Sequence, residues 1–108
     1  MRIYTDEGAR AGHKALFEVI VCAARDAGLA GATVLRGPMG FGHSHHIHTA
    51  TILNLSMSLP LVIEIVDDEA KLRAFLDQLD SFEHIGLVTL EKVEVLHYGA
   101  VAERREGA

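Results

Sequence analysis

The sequence predicts an α+β fold in which one antiparallel sheet carries two helices on a single face. Three observations lead there. Two segments repeat apolar residues at the helical period, and the segments around them show period two or continuous β-branched runs. Helical and extended segments follow one another in the order β-α-β-β-α-β. The 108 residues make one ordinary domain, expected over 1–99, with 100–108 as a flexible C-terminal tail.

Arg2 to Thr5 reads as the first strand and Gly8 to Gly12 as a loop. From His13 to Ala27 the spacing is helical, with Leu16, Phe17, Ile20, Ala24 and Ala27 on one face and Lys14, Glu18, Arg25 and Asp26 away from it. Gly28 is a natural helix stop. Ala32 to Arg36 reads as the second strand, and Gly37-Pro38-Met39-Gly40-Phe41-Gly42 as loop. Thr51 to Leu59 alternates, and Pro60 then breaks the ladder or marks an edge. Leu61 to Val66 is a β-branched strand whose near-continuous hydrophobicity implies burial on both faces.

Asp67 or Asp68 is placed to cap the second helix, with Glu69 adding charge near its positive end. Leu72, Phe75, Leu76 and Leu79 form its apolar stripe. Gly86 to Leu96 reads as the last strand, with a shift of phase between Leu90 and Val93 that implies a bulge or bend. For one small domain this order is the ferredoxin-like split βαβ arrangement. It leaves one sheet face without cover, and packing of sheets around a symmetry axis is the simplest solution.

Composition narrows the function. Hydrophobic residues make up 49% of the chain and aromatic residues 6%, so the core is aliphatic. Fifteen acidic residues against ten basic ones give a net charge of −5, which argues against a general nucleic-acid binder. A single cysteine, Cys22, allows no intramolecular disulfide and no Cys-based zinc site, and it reads as a half-buried inert thiol. The first seven residues hold no apolar signal-peptide core, and Leu59 to Val66 is too short to span a bilayer, so a cytoplasmic location is expected.

The unusual segment runs from Gly28 to His48. Five of the ten glycines lie in it, at 28, 31, 37, 40 and 42. Glycines let backbone N–H groups approach a ligand closely and form anion-binding nests. Arg36 enters this loop and suits phosphate or carboxylate, while Thr33 offers a hydroxyl nearby. The plain alternative is a glycine-rich turn with a surface arginine, and neither standard nucleotide fingerprint is present. Four of the seven histidines fall at His43, His45, His46 and His48, which raises a copper, nickel or zinc site. An extended strand would send His43 and His45 to one side and His46 and His48 to the other, so four convergent ligands need a folded loop or several subunits. Glu64, the one carboxylate inside an apolar strand, fits a subunit interface, an ion pair with Arg36, or a solvated edge. No Ser/His/Asp or Cys/His set is indicated by sequence order.

Several runs carry a resemblance: Ala27-Gly28-Leu29-Ala30-Gly31-Ala32-Thr33-Val34, Arg36-Gly37, Gly40-Phe41-Gly42, Ile47-His48-Thr49, and Leu59 to Asp67. With Gly86-Leu87-Val88-Thr89 and Val93 to Tyr98, these resemble the bacterial and archaeal family known as domain of unknown function 190, over roughly residues 2 to 98. That family is placed in the PII-like superfamily. The resemblance implies a ferredoxin-like fold and a homotrimer whose assembly covers the bare sheet face. It further implies a partner-contacting loop at about Pro38 to Ala50, and small ligands, often adenine nucleotides, in inter-subunit clefts at its base. Thr33, Arg36 and Gly37 would belong to that base, with Gly40, Gly42 and Glu64 the other ligand-binding candidates. The chain departs from true PII proteins at Asp80 to Gly86, where a Gly- and Lys-rich phosphate loop is replaced by an acidic stretch without Lys or Arg. Nucleotide held in the PII manner is therefore not implied, and Arg36 and Arg104-Arg105 are the cations left for a ligand.

The leading expectation is a PII-like, non-enzymatic regulatory trimer that senses a small molecule, with an adenine nucleotide as candidate, and contacts a protein partner such as a membrane transporter. The alternative is a metal-binding trimer using His43, His45, His46 and His48, similar in architecture to the copper-tolerance protein CutA. An enzyme using the histidines as acid or base, and an interaction module without ligand, complete the set.

Overall fold

The central strand is β1 (Arg2–Asp6), the segment in which Ile3 is flanked by polar or amphipathic residues. In the computed structural model, which describes residues 1–42, 47–49 and 58–99, β1 pairs antiparallel on one side with β7 (Pro60–Glu64) and on the other with β8 (Leu87–Thr89). Strand β4 (Thr33–Arg36) adds to the far side of β7, giving the order β4-β7-β1-β8 with every pair antiparallel. Helices α1 (Leu16–Asp26) and α2 (Glu69–Leu79) complete the ferredoxin-like α+β arrangement that the element order predicts.

Two short additions interrupt that plan. Strands β2 (Arg10–Ala11) and β3 (Lys14–Ala15) form a tight hairpin ahead of α1. Strands β5 (Met39–Gly40) and β6 (His48–Thr49) form a two-residue ribbon inside the connection from β4 to β7. The first hairpin corrects the expected start of α1. Residues Lys14 and Ala15 are extended in the hairpin, so the helix begins at Leu16, whose N–H donates to the Ala9 carbonyl at 2.9 Å.

The helical stripes behave as the spacing predicts. Leu16, Ile20 and Ala24 of α1 and Leu72, Phe75 and Leu79 of α2 are buried, and Phe17 and Leu76 are half-buried beside them. They close on Ile3, Ile63 and Ile65 from the sheet. Alternation along β7 buries Leu61 and Ile63 but leaves Val62 and Glu64 half-exposed, so burial on one face replaces the expected burial on both. Pro60 is the first residue of a central strand, a position where its missing N–H breaks no established ladder.

Helix α1 ends in a Schellman arrangement. Gly28 has φ +78°, its N–H donates to the Arg25 carbonyl at 3.0 Å, and the Leu29 N–H donates to the Ala24 carbonyl at 3.1 Å. Asp68 occupies the N-cap of α2 without a side-chain cap bond. Asp67 instead ties the two loops together, its Oδ1 accepting from the Asp68 N–H and its Oδ2 from the Ala30 N–H at 2.9 Å.

The last strand is shorter than its alternation suggests. The register of β8 on β1 ends with Thr89 opposite Arg2. Among the described residues, 90–98 make no strand pairing, and Val93, Val95, Leu96 and Tyr98 are exposed. Cys22 is exposed rather than half-buried. Of the strand predicted from Thr51 to Leu59, residues 51–57 lie outside the described residues, as do the histidines at 43, 45 and 46 and the tail at 100–108, while Ser58 and Leu59 are not in a strand. Among the described residues no helix is long and apolar enough to cross a membrane.

Phe75 is 1% exposed and faces both the sheet and α1 through the shared core. Phe75→Ala is expected to cost about 3–5 kcal/mol of unfolding free energy. Leu76→Ala, at the half-buried edge, is expected to cost less than half of that. Urea denaturation of both variants at one protein concentration checks the ratio.

Candidate functional site

The end of β1, the end of β4 and the start of β7 meet at one end of the sheet, where the 37–59 connection leaves and returns. The register sets this meeting: Asp6 stands opposite Pro60, and Arg36 opposite Leu61. The Gly37 N–H donates to the Pro60 carbonyl at 2.8 Å and extends the β4–β7 ladder by one bond.

A polar cluster fills this end. Arg36 Nε lies 3.1 Å from Glu7 Oε2, with the carboxylate side chain 25% exposed and the guanidinium side chain 64%. Glu7 Oε1 accepts from the Leu59 N–H at 3.2 Å, and the Glu7 N–H donates to the Leu59 carbonyl at 2.9 Å. Asp6 Oδ1 accepts from the Ser58 hydroxyl at 2.7 Å and from the Gly8 N–H at 3.0 Å. Chemically this is an exposed guanidinium, able to take a carboxylate or phosphate, countered by one carboxylate at hydrogen-bond range.

Glycine has a packing role here. A Cβ at Gly37 or at Gly40 would stand 3.2 Å from Pro60 Cγ, so both residues let the chain fold closely over the proline ring. A Cβ at Gly42 would meet no atom within 4 Å.

Thr33 and Glu64 lie elsewhere. They face one another across β4 and β7 at the opposite end of the sheet, three residues from Arg36 and so roughly 10 Å along the strand. Glu64 takes Arg2 as its partner, Nε to Oε2 at 2.9 Å, which corrects the expected pairing with Arg36. Arg2 Nη1 also reaches Glu91 Oε1 at 2.7 Å. The hydrogen bond to Glu64, then that to Glu91, raises the Arg2 pKa above its ordinary value. The ligand candidates therefore divide into Arg36, Gly37 and Gly40 at the connection and Thr33 and Glu64 beside Arg2.

Sequence reasoning missed Asp6 and Glu7, which read as the charged end of a strand. The described residues contain no group of three or more His, Cys, Asp or Glu placed to hold a metal ion. His48 lies in β6, and the other three histidines of that cluster fall outside the described residues. Two shallow clefts, of about 260 and 240 Å³, lie away from the cluster, one between Arg10, Gly12 and Phe82 and one between Ala24, Leu29 and Ala32.

Comparison with known proteins gives one family. The family model described as domain of unknown function 190, Uncharacterized ACR, matches residues 1–95. A protein of Aquifex aeolicus (strain VF5) called UPF0166 protein is 38% identical over 97 residues, covering 90% of this chain and 91% of the relative. A second UPF0166 protein of the same organism is 41% identical over 71 residues, 65% of this chain and 73% of the relative. UPF0166 protein MJ1524 of Methanocaldococcus jannaschii is 29% identical over 96 residues, 88% of each chain.

The close fit of Gly40 over Pro60 predicts coupling between the two positions. Gly40→Ala is expected to cost about 1 kcal/mol by overpacking. The loss should shrink when Pro60 is also replaced by Ala. A double-mutant cycle from chemical denaturation measures that coupling.

Proposed function

The chain belongs to the domain of unknown function 190 family, which is PII-like, and from that membership we propose that it is a non-enzymatic regulatory protein. It works as a homotrimer, binds a small anionic effector at the roots of the 37–59 connection, and acts on a protein partner through residues 38–50. Arg36 anchors the effector, with backbone N–H groups near Gly37 completing the site. An adenine nucleotide is the first candidate effector, and a membrane transporter is one class of partner that suits a soluble regulator.

The observation that carries this reading is the pairing of an exposed Arg36 with a three-strand junction from which a long connection leaves. A ligand on Arg36 touches the structure where a small displacement is passed directly into that connection. Such a change works by population shift, so the effector must prefer one arrangement of the connection over the other.

The trimer is supported by the face of the sheet opposite the helices. Leu35 and Leu87 are 48% and 54% exposed there, with Tyr4 and Val62 half-buried between them, and among the described residues no second layer lies over them. The exposed apolar residues of 90–98 extend the same need for cover. In this reading, subunits pack on these surfaces.

Calorimetry with ATP, ADP, AMP and cyclic AMP, together with sedimentation, tests the proposal. The expected outcome is a particle of three times the 11.7 kDa chain mass. It should bind at least one nucleotide, with an affinity reduced about 10- to 100-fold by Arg36→Gln, the scale of one charge-assisted contact. No binding of any of the four removes the nucleotide, and a monomer at micromolar concentration removes the assembly.

A further inference from the structure

Glu7 holds both roots of the 37–59 connection with a single carboxylate. Its Oε2 faces Arg36 on the outgoing root at 3.1 Å, and its Oε1 accepts the Leu59 N–H on the returning root at 3.2 Å. The backbone repeats the link, because the Glu7 N–H donates to the Leu59 carbonyl at 2.9 Å. Next to it Asp6 accepts from Ser58 on the same returning root. Glu7 is also the carboxylate of the pair that is better shielded from water, at 25% against 64% exposure for Arg36.

We propose that Glu7 is an internal competitor for the ligand: its carboxylate occupies Arg36 when the site is empty, and an oxyanion arriving at Arg36 displaces it and so uncouples the two roots. The proposal rests on reading Arg36 as the effector anchor and adds how the effector's arrival is registered. Glu7 meets Arg36 as an ion pair, Nε to Oε2 at 3.1 Å, on a partly solvated pair, which is the weak kind. A phosphate or carboxylate that engages the guanidinium with two parallel N–H···O bonds is a stronger partner. A ligand that takes the Nε edge of the guanidinium competes with Glu7 for that donor. Once Glu7 turns away, the tie from its side chain to Leu59 goes with it, and among the described residues the backbone bond from Gly37 to Pro60 is what joins the roots.

The test uses the full chain in its native assembly, with Glu7→Gln, Glu7→Ala and Arg36→Gln. Glu7→Gln keeps an oxygen for Leu59 and removes the charge opposite Arg36. Titration with inorganic phosphate and, separately, with ADP is expected to show about three- to ten-fold tighter binding in Glu7→Gln than in the wild type, and loss of binding in Arg36→Gln. A gain with both probes assigns the competition to the oxyanion itself, and a gain with ADP alone assigns it to a phosphate presented by a nucleotide. Amide hydrogen exchange supplies a second readout. Glu7→Ala is expected to speed exchange at Gly37, whose own hydrogen bond to Pro60 the substitution does not touch, while Ile63 in mid-strand stays unchanged. Wild-type binding that depends on Arg36 but is no weaker than in Glu7→Gln overturns the competition and leaves the effector site standing. Unchanged exchange at Gly37 in Glu7→Ala overturns the link between the roots. Absence of binding in every variant overturns the effector site and the competition together.

Discussion

The antiparallel register of β1 on β7, with Ile3 opposite Ile63 and Asp6 opposite Pro60, decides what each end and each face of the molecule carries. Side chains alternate across a strand, so this register sends Ile3 and Ile63 together into the helical layer and Tyr4 and Val62 together onto the open face. A slip of one residue would reverse both sets. The same register puts Arg2 against Glu64 at one end and the Asp6-Glu7 step beside Ser58 and Leu59 at the other. The ion pair at the first end and the polar cluster at the second are thus two results of a single alignment. Because β1 also carries β8 on its other edge, displacing it would disturb every pair of the four-stranded sheet except β4 on β7.

Two helices cannot cover two faces of a sheet. The covered face is built from apolar side chains: among the described residues the buried ones are all apolar. The open face mixes Leu35, Val62, Tyr4 and Leu87 with the Arg2–Glu64 pair. That mixture suits a surface that meets another subunit better than one that meets only water, since a partly solvated ion pair gives orientation at little cost while the apolar neighbours supply area. The segment after β8 follows the same logic. Its alternation gives it the chemistry of a strand, but its register with β1 ends at the Arg2–Thr89 pair.

The fold was largely legible in the sequence, because helical and strand periodicities survive in α1, α2, β1, β4 and β7. The β2–β3 hairpin was not, since ladders two residues long have no period to read, and Lys14 and Ala15 look like the first turn of a helix. The last strand was overread because alternation reports what a segment can do and not whether a partner is available. At the site, Arg36 and Gly37 stood out as residues, but their neighbours did not. Glu7 reaches Arg36 and Leu59 only through the sheet register, and nothing local marks it. For Glu64 the sequence left open a subunit interface, a pair with Arg36 or a solvated edge, and Arg2 was not among the candidates; the register supplies it. The glycines were read as room for a ligand, whereas at Gly37 and Gly40 the room is taken by the Pro60 ring.

Charge gives the cluster its character. The chain carries a net −5, and the turn from Asp80 to Gly86 holds no lysine or arginine. An anion approaching such a surface is repelled at long range, and its capture depends on a local cation more than on general attraction. Arg36 is such a cation, and the protein does not leave it bare. Glu7 neutralises it at close range with one contact, which lowers its pull on bulk chloride or stray phosphate. A ligand must then supply enough geometry to replace that contact, through two aligned oxygens or through further contacts beyond the phosphate. On the competition proposed for Glu7, selectivity would come from the carboxylate as much as from the guanidinium, and the same carboxylate ties the returning root in place.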